Sequence, residues 1–130
     1  MLKTEGLPKS QRLFKKKAIM ALFEKGKGFS FYPFRVIINV TKPDNQCDAL
    51  PRILVSVSKK RFHHAIKRNR IKRLIRETWR KNKHDLLCKC MDENITIDIA
   101  LVYTATIIME YKDIEKKIKQ LIERLQNECL

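Results

Sequence analysis

The chain is organised around the segment Lys67-Arg-Asn-Arg-Ile-Lys-Arg-Leu-Ile-Arg-Glu77. At about 100° per residue on a helix, the apolar side chains in and just after it fall on one side, which can face a core. That stripe consists of Ile71, Leu74, Ile75, Thr78 and, at its margin, Trp79. The opposite side holds Asn69, Arg73, Arg76, Arg80 and Lys83, flanked by Arg70 and Lys72. The spacing therefore predicts an amphipathic helix with one basic face.

Most of the net charge lies around this helix. Between Lys59 and Lys83 there are 12 Lys or Arg residues and one acid, Glu77, so the segment supplies +11 of the formal +15. A solvated helix face usually mixes acids with bases, whereas like charges at this density repel one another, and a polyanion relieves that cost. Arginine also matches phosphate oxygens and stacks on bases. The sequence therefore predicts nucleic-acid binding, with Asn69 as a base, ribose or phosphate contact or, alternatively, a helix or turn cap.

The residues around this segment resemble a known family. Ser56-Val-Ser-Lys-Lys60, a spacer, Ala65-Ile-Lys-Arg-Asn-Arg-Ile-Lys-Arg73 and Arg76-Glu77 are together similar to the protein subunit of bacterial ribonuclease P. Arg68-Asn69-Arg70 followed by Lys72-Arg73 looks like the RNR signature of that family. Many members have a glycine in the spacer, whereas this chain has Arg61-Phe62-His63-His64. The resemblance therefore does not define the conformation of that connection.

The resemblance implies that a catalytic RNA subunit with bound Mg²⁺ removes the 5′ leader of precursor tRNA, while the protein docks on that RNA and holds the leader. The implied contacts with the RNA subunit are Lys59, Lys60, Arg61, Lys67, Arg68, Asn69, Arg70, Lys72, Arg73 and Arg76. The implied leader contacts are Arg12, Lys16, Ile19, Phe23, Arg35, Ile37, Asn39 and Ser56. Phe23 matches an aromatic position of the family's leader groove, and Ile19 stands where an aromatic residue is common. No metal is expected to bind tightly to the protein alone.

Periodicity and turn residues place the other elements. We predict a helix from Gln11 to Lys25 capped by Ser10, strands near 29–32, 34–41 and 52–58, a polar connection at 82–94, a strand at 95–104 and a final helix. The order αβββαβα predicts an α+β two-layer sandwich with a four-stranded mixed sheet, in which residues 1–9 form a flexible arm and residues 10–130 a single RNA-binding domain. Parallel strands usually have a right-handed crossover. The resemblance implies a left-handed βαβ crossover, which we adopt.

The first helix has two apolar faces. Its core face consists of Phe14, Ala18, Ala21 and Leu22. On the other side, Ile19 and Phe23 lie one turn apart beside Arg12 and Lys16, and this side is either covered by the fold or exposed to a ligand. The outward positions of the second strand, Arg35, Ile37 and Asn39, are expected to form the facing wall of a leader groove.

Composition restricts the other function classes. The chain has no apolar run of about 18 residues and no signal-peptide pattern, so we expect a cytoplasmic protein with no membrane contact. Reduced thiols are expected for the cysteines, with a zinc site as the alternative; they are Cys47, Cys88, Cys90 and Cys129.

The sequence shows no pattern of catalytic residues. The acidic residues are too scattered to bind the two metal ions of a nuclease site. His63 and His64 point to different sides of a helix, which argues against a shared role in acid–base cleavage. We expect no active site on the protein and no obligate protein partner; the competing class is a non-enzymatic ribosomal or RNA-assembly binding protein of similar fold.

Overall fold

The structure, a computed structural model, describes Leu13, residues 16–42 and residues 50–129 of the 130-residue chain. Its elements are α1 (Lys16–Lys25), β1 (Lys27–Phe31), β2 (Phe34–Thr41), β3 (Pro51–Val57), α2 (Ala65–Asn82), α3 (His84–Glu93), β4 (Thr96–Tyr103) and α4 (Tyr111–Cys129). The predicted order is confirmed, with α3 as an additional helix. The predicted arm, Arg12 and Phe14 lie outside the described residues. Helix α1 begins at Lys16, so Leu13 precedes it, although the predicted helix from Gln11 includes Leu13.

The strands form one four-stranded mixed sheet in the order β1-β2-β4-β3. β2 pairs antiparallel with both β1 and β4, while β3 pairs parallel with β4. The α+β class and the mixed sheet are therefore confirmed, and β1 is an edge strand as predicted. Because β3 and β4 are parallel, α2 and α3 form the crossover between them. Its left-handed course stays a prediction.

The main core lies between one face of the sheet and helices α2, α3 and α4. Alternate positions of the strands supply Phe34, Val36, Ile53, Val55, Val57, Ile97, Ile99 and Leu101. The helices supply Ile71, Ile75, Trp79, Leu86, Ile114, Ile118, Leu121 and Leu125. Burying each such side chain stabilises the fold by about 1.5–3 kcal/mol before entropy is counted. The predicted apolar stripe of the central helix is confirmed.

Helix α1 covers part of the opposite face of the sheet. Leu22 packs there with Leu13 and Ala100, and the half-buried Ile37 and Leu54 border them. Pairing places Ile37 beside Ala100 and Ala100 beside Leu54, so the three side chains form one row across the sheet. The backbone N–H of Leu13 also donates to the Ile53 carbonyl at 2.8 Å. Helices therefore pack against both faces of the sheet.

The segment predicted as a polar connection instead forms α3. Leu86, Leu87 and Cys90 are buried along one side of this helix. Asn94 ends the helix with φ of 53°, and the Ile95 N–H donates to the Cys90 carbonyl at 3.0 Å. The start of α3 also changes the place of Lys83, which helical spacing assigned to the basic face. Because α2 ends at Asn82, Lys83 lies at the α2–α3 junction and is fully buried.

Candidate RNA interface

Helix α2 presents its cations on the side away from the core. Five of the predicted contact residues are exposed on it: Lys67, Asn69, Arg70, Arg73 and Arg76. Lys72 is half-buried between this face and the core stripe. The geometry therefore places these predicted contacts on one rigid helix, whose opposite side is anchored by Ile71, Ile75 and Trp79.

An ion pair marks the C-terminal limit of this basic face. Arg80 donates to both carboxylate oxygens of Glu77, with its Nε at 3.3 Å from Oε2. This hydrogen bond, followed by the positive charges of Arg80, Lys81 and Arg73, keeps the pKa of Glu77 below its ordinary value. The side chain of Glu77 is 42% exposed, so the pair contributes little to stability. Its main effect is to neutralise one cation, which leaves the positive charge concentrated towards the start of α2.

The residues Lys59, Lys60 and Arg61 form an exposed turn between β3 and α2. The Lys60 N–H donates to the Ser58 hydroxyl at 3.1 Å, and the Phe62 N–H donates to the Ser58 carbonyl at 3.1 Å. Phe62 is buried, and the centre of its ring lies 6.1 Å from that of Tyr103. The connection thus needs no glycine, because ordinary turn hydrogen bonds and one buried aromatic ring define it.

Arg68 has a different position from the other residues of its run. Its Nη1 donates to the carbonyls of Phe62 and His63, each at 2.8 Å, and the side chain is half-buried. The guanidinium therefore holds the connection against the first turn of α2. The sequence resemblance assigns Arg68 to RNA contact alone. Its hydrogen bonds to the connection could not be read from that resemblance.

The described residues that are predicted to contact the leader lie on α1 and on the outer face of the sheet. Phe23 is 50% exposed, so it is not a core residue. Ile19 is half-buried and packs with Ala18 and Ile37 in the cluster under α1, so it is less available than Phe23. Lys16 is exposed at the first residue of α1. Of the expected apolar pair, the aromatic member is the one that α1 leaves open.

Strand pairing brings distant residues onto the face beside α1. Arg35 is paired with Val102 and Val102 with Ser56, which forms the row next to that of Ile37. Arg35 and Ser56 are exposed, and a methyl group added at Gly28 would lie 3.5 Å from Arg35 Nη2. The Arg35 side chain therefore extends over β1. We call the row of Arg35, Val102 and Ser56 the open strip of the sheet; it carries one cation, from Arg35, and one hydroxyl, from Ser56.

On the other side of the Ile37 row, the half-buried Asn39 is paired with Asp98, and Asp98 with Arg52. Sequence reasoning missed this ion pair: Arg52 Nε donates to Asp98 Oδ1 at 2.7 Å and Nη2 to Oδ2 at 2.9 Å. Asp98 is buried and Arg52 is about one-third exposed. A bidentate pair of this kind fixes both side chains. It also joins β3 to β4 across the outer face.

The remaining chemical groups do not gather into a metal site within the described residues, which contain no cluster of three or more His, Cys, Asp or Glu side chains able to hold an ion. His84 Nε2 lies 3.6 Å from the Sγ of the exposed Cys88, while Cys90 is buried, and neither of these two cysteines forms a disulfide. His63 and His64 are exposed before α2. None of the helices that the structure describes is both long and apolar enough to cross a membrane.

Comparison with known proteins identifies the family. The family model described as Ribonuclease P matches residues 7–126, which is nearly the whole chain. The chain belongs to the ribonuclease P protein family. A ribonuclease P protein component from Porphyromonas gingivalis is 37% identical over 122 residues, covering 94% of this chain and 88% of that protein. As a member of this family, the chain is the protein component of an endoribonuclease ribonucleoprotein and associates with its RNA subunit.

Solved structures of ribonuclease P proteins have the same fold. A mutant RNase P protein from Staphylococcus aureus superposes with a TM-score of 0.68 at 23% identity, covering 91% of this chain and 90% of that one. The RNase P protein from Thermotoga maritima gives a TM-score of 0.67 at 22% identity, covering 87% of this chain and 96% of that one. The family membership does not favour the competing ribosomal or assembly class.

Proposed function

We propose that this protein docks its RNA subunit on the basic face of α2 and holds the 5′ leader of precursor tRNA on the open strip of the sheet beside α1. The observation that carries the proposal is the exposed basic face, because it unites the cations of α2 on a rigid helix next to the turn of Lys59, Lys60 and Arg61. Cations fixed in this way bind phosphates and release counterions at little ordering cost.

The leader groove has the composition that suits a single strand. The exposed ring of Phe23 offers a stacking surface, while Arg35 and Lys16 offer positive charge and Ser56 a hydroxyl. Unpaired bases stack on aromatic rings while their phosphates meet cations, without strict sequence preference. We therefore assign leader binding to Phe23 first, with Ile37 and Asn39 forming the floor and Ile19 in a minor role. Arg12 remains a predicted contact outside the described residues.

In this proposal the chemistry belongs to the RNA subunit, which binds Mg²⁺ and hydrolyses the phosphodiester bond. The protein contributes positioning: a leader held in the groove while the RNA subunit is held on α2 makes the cleavage site an intramolecular target. Its cations also reduce the repulsion between two polyanions and so strengthen substrate binding. We place this reaction in the cytoplasm.

Reconstitution tests the function. Protein free of RNA should cleave nothing, whereas adding the RNA subunit and Mg²⁺ should give precursor tRNA cut at the mature 5′ end. Site-specific cleavage by rigorously RNA-free protein would contradict the assignment of catalysis to RNA.

In the same assay, Phe23→Ala should weaken precursor binding by roughly tenfold, because one stacked base is worth about 1–3 kcal/mol. Mature tRNA, which has no leader, should bind almost as before. Met91→Ala, on the exposed side of α3, is the matched control. Equal losses for precursor and mature tRNA, or a large fall in melting temperature, would refute the leader assignment.

A further inference from the structure

A second exposed apolar surface lies at one end of the sheet. Among the described residues, Tyr32, Ile66 and Ile107 are 61%, 84% and 63% exposed, all more than Phe23. We call these three residues the sheet-end surface. They belong neither to the leader groove nor to the predicted contacts on α2. Exposed apolar side chains that gather in one place, rimmed by polar residues, mark interaction sites more often than those that are scattered.

These residues lie in three connections at the same end of the sheet. Tyr32 occupies the turn between β1 and β2, where Phe31 is paired with Phe34. Phe34 is in turn paired with Tyr103, and Tyr103 with Val57. The end of β1, the start of β2 and the ends of β3 and β4 therefore lie at the same end of the sheet. Ile107 lies in the connection between β4 and α4, and Ile66 lies in the first turn of α2, shortly after the turn that leaves β3.

The base of this surface is built around Tyr103. The Tyr103 hydroxyl donates to the Ile107 carbonyl at 2.6 Å and accepts from the Met109 N–H at 3.2 Å. Burial raises the pKa of the Tyr103 hydroxyl above its ordinary value. The Thr104 N–H donates to the Pro33 carbonyl at 2.7 Å and ties the same two connections. These hydrogen bonds therefore fix the connection after β4 to Tyr103 and to the turn that contains Tyr32 and Pro33.

The charge around this surface is positive. Lys59, Lys60 and Arg61 are exposed in the turn that precedes Ile66, and Lys67 follows it. Glu110, in the same connection as Ile107, lies 3.8 Å from the Lys112 ammonium group. Because Lys67 also begins the basic face of α2, the two surfaces are continuous. An exposed aromatic ring beside several cations is the arrangement that binds unpaired nucleotides.

We propose that the sheet-end surface binds an unpaired nucleotide of the RNA subunit, with its base stacked on Tyr32 and flanked by Ile66 and Ile107, and its phosphates at Lys59 and Lys60. The inference rests on the proposed docking of the RNA subunit on α2. The RNA subunit fits better than the leader because Tyr103 and its contacts belong to the core side of the sheet, whereas the leader groove is on the outer side.

The test measures binding of the RNA subunit alone, without precursor tRNA, over a series of salt concentrations. Tyr32→Ala and Tyr32→Leu should each weaken binding by about tenfold, whereas Tyr32→Phe should leave it nearly unchanged, because stacking needs the ring and not the hydroxyl. The slope of affinity against salt should stay the same for all three, since no phosphate contact is lost. Lys59→Ala should flatten that slope. Val40→Ala, an exposed apolar change at the other end of β2, is the control.

The outcomes separate this inference from the proposed function. If the wild type does not bind the RNA subunit, the proposed function fails. If the wild type binds and Tyr32→Ala behaves like Val40→Ala, only the present inference is refuted. A loss seen with precursor tRNA but absent with the RNA subunit alone would assign Tyr32 to the leader and overturn the proposal. So would self-association of the protein that Tyr32→Ala abolishes without changing RNA affinity.

A second variant covers the case in which Tyr32→Ala lowers the melting temperature. Ile107→Ser alters an exposed side chain and keeps the backbone carbonyl that accepts from Tyr103. It should weaken RNA-subunit binding a few-fold with no change in melting temperature. Unchanged binding by a folded Ile107→Ser variant, together with loss of binding only in unfolded Tyr32 variants, would refute the proposal.

Discussion

Replacing Arg68 with alanine should destabilise the protein, whereas replacing Arg70 should not, although both belong to the same Arg-Asn-Arg run. Arg68 donates from Nη1 to the carbonyls of Phe62 and His63, each at 2.8 Å, and is half-buried. Arg70 is exposed on the basic face of α2. The two substitutions remove the same charge, so a difference in stability between them reports the hydrogen bonds to the connection.

The expected magnitude follows from these two bonds. A hydrogen bond from a charged group contributes about 1.5–3 kcal/mol when well buried, and half exposure reduces that figure. We therefore expect Arg68→Ala to lower the free energy of unfolding by about 1–3 kcal/mol in total. For a domain of this size, the melting temperature should fall by roughly 3–10 °C. Arg70→Ala should stay within about 0.5 kcal/mol of the wild type.

Thermal and urea unfolding, followed by circular dichroism, measure the stability difference. The contribution of each arginine to RNA binding is measured from the slope of log affinity for the RNA subunit against log salt concentration. Arg70→Ala should flatten this slope by about 0.7–0.9, and Arg68→Ala should flatten it by less. Equal stability of the two variants would refute the structural role of Arg68. A flattening by Arg68→Ala as large as that by Arg70→Ala, in a protein of wild-type stability, would return Arg68 to the set of direct RNA contacts.

Two further predictions concern the fold. Burial lowers the pKa of Lys83 to about 8 in the folded protein, whereas its ordinary value is 10.5, so keeping this side chain charged costs stability at neutral pH. As pH rises from about 8 to 10.5, the folded protein loses this proton before the unfolded chain does, and the cost falls. The free energy of unfolding of the wild type, relative to that of Lys83→Met, should therefore rise by at most about 3 kcal/mol. Urea unfolding of both proteins at pH 7 to 10 checks this, and parallel curves would contradict it. A Cβ at Gly26 would lie 2.3 Å from the Leu22 carbonyl oxygen and 2.8 Å from Ile37 Cγ2, whereas one at Gly28 would have no neighbour closer than 3.5 Å. Gly26→Ala should therefore cost about 1–3 kcal/mol and Gly28→Ala almost nothing; similar melting temperatures for the two would refute the packing argument.

Local periodicity was sufficient to predict the elements in which buried residues recur at a regular spacing. Examples are the stripe of Ile71, Ile75 and Trp79 in α2 and the alternating burial along β3, because in both elements the positions that face the core are the apolar ones. Helix α3 was missed because it buries only Leu86, Leu87 and Cys90 among charged neighbours. Its helical state depends on packing against α4 and the sheet, which a short window of sequence does not contain.

The candidate site was predictable in its cations but not in their partners. The charge of α2 is visible in the sequence, whereas the contact of Arg68 with the Phe62 carbonyl depends on how the preceding turn closes. The same holds for Asp98, which lies 46 positions from Arg52 and meets it only because β3 and β4 pair in parallel. Register between distant strands is set by the whole core, so such contacts are not encoded in any local pattern.

The position of the sheet explains how one small protein can serve two RNAs in the proposed complex. Helix α2 packs on one face of the sheet and the proposed leader groove is on the other, so in this proposal the RNA subunit and the leader do not compete for the same surface. β4 lies between them and is almost entirely buried, which makes the spacer between the two sites rigid. A rigid spacer fixes the distance between the docked RNA and the leader and removes the ordering cost of bringing them together.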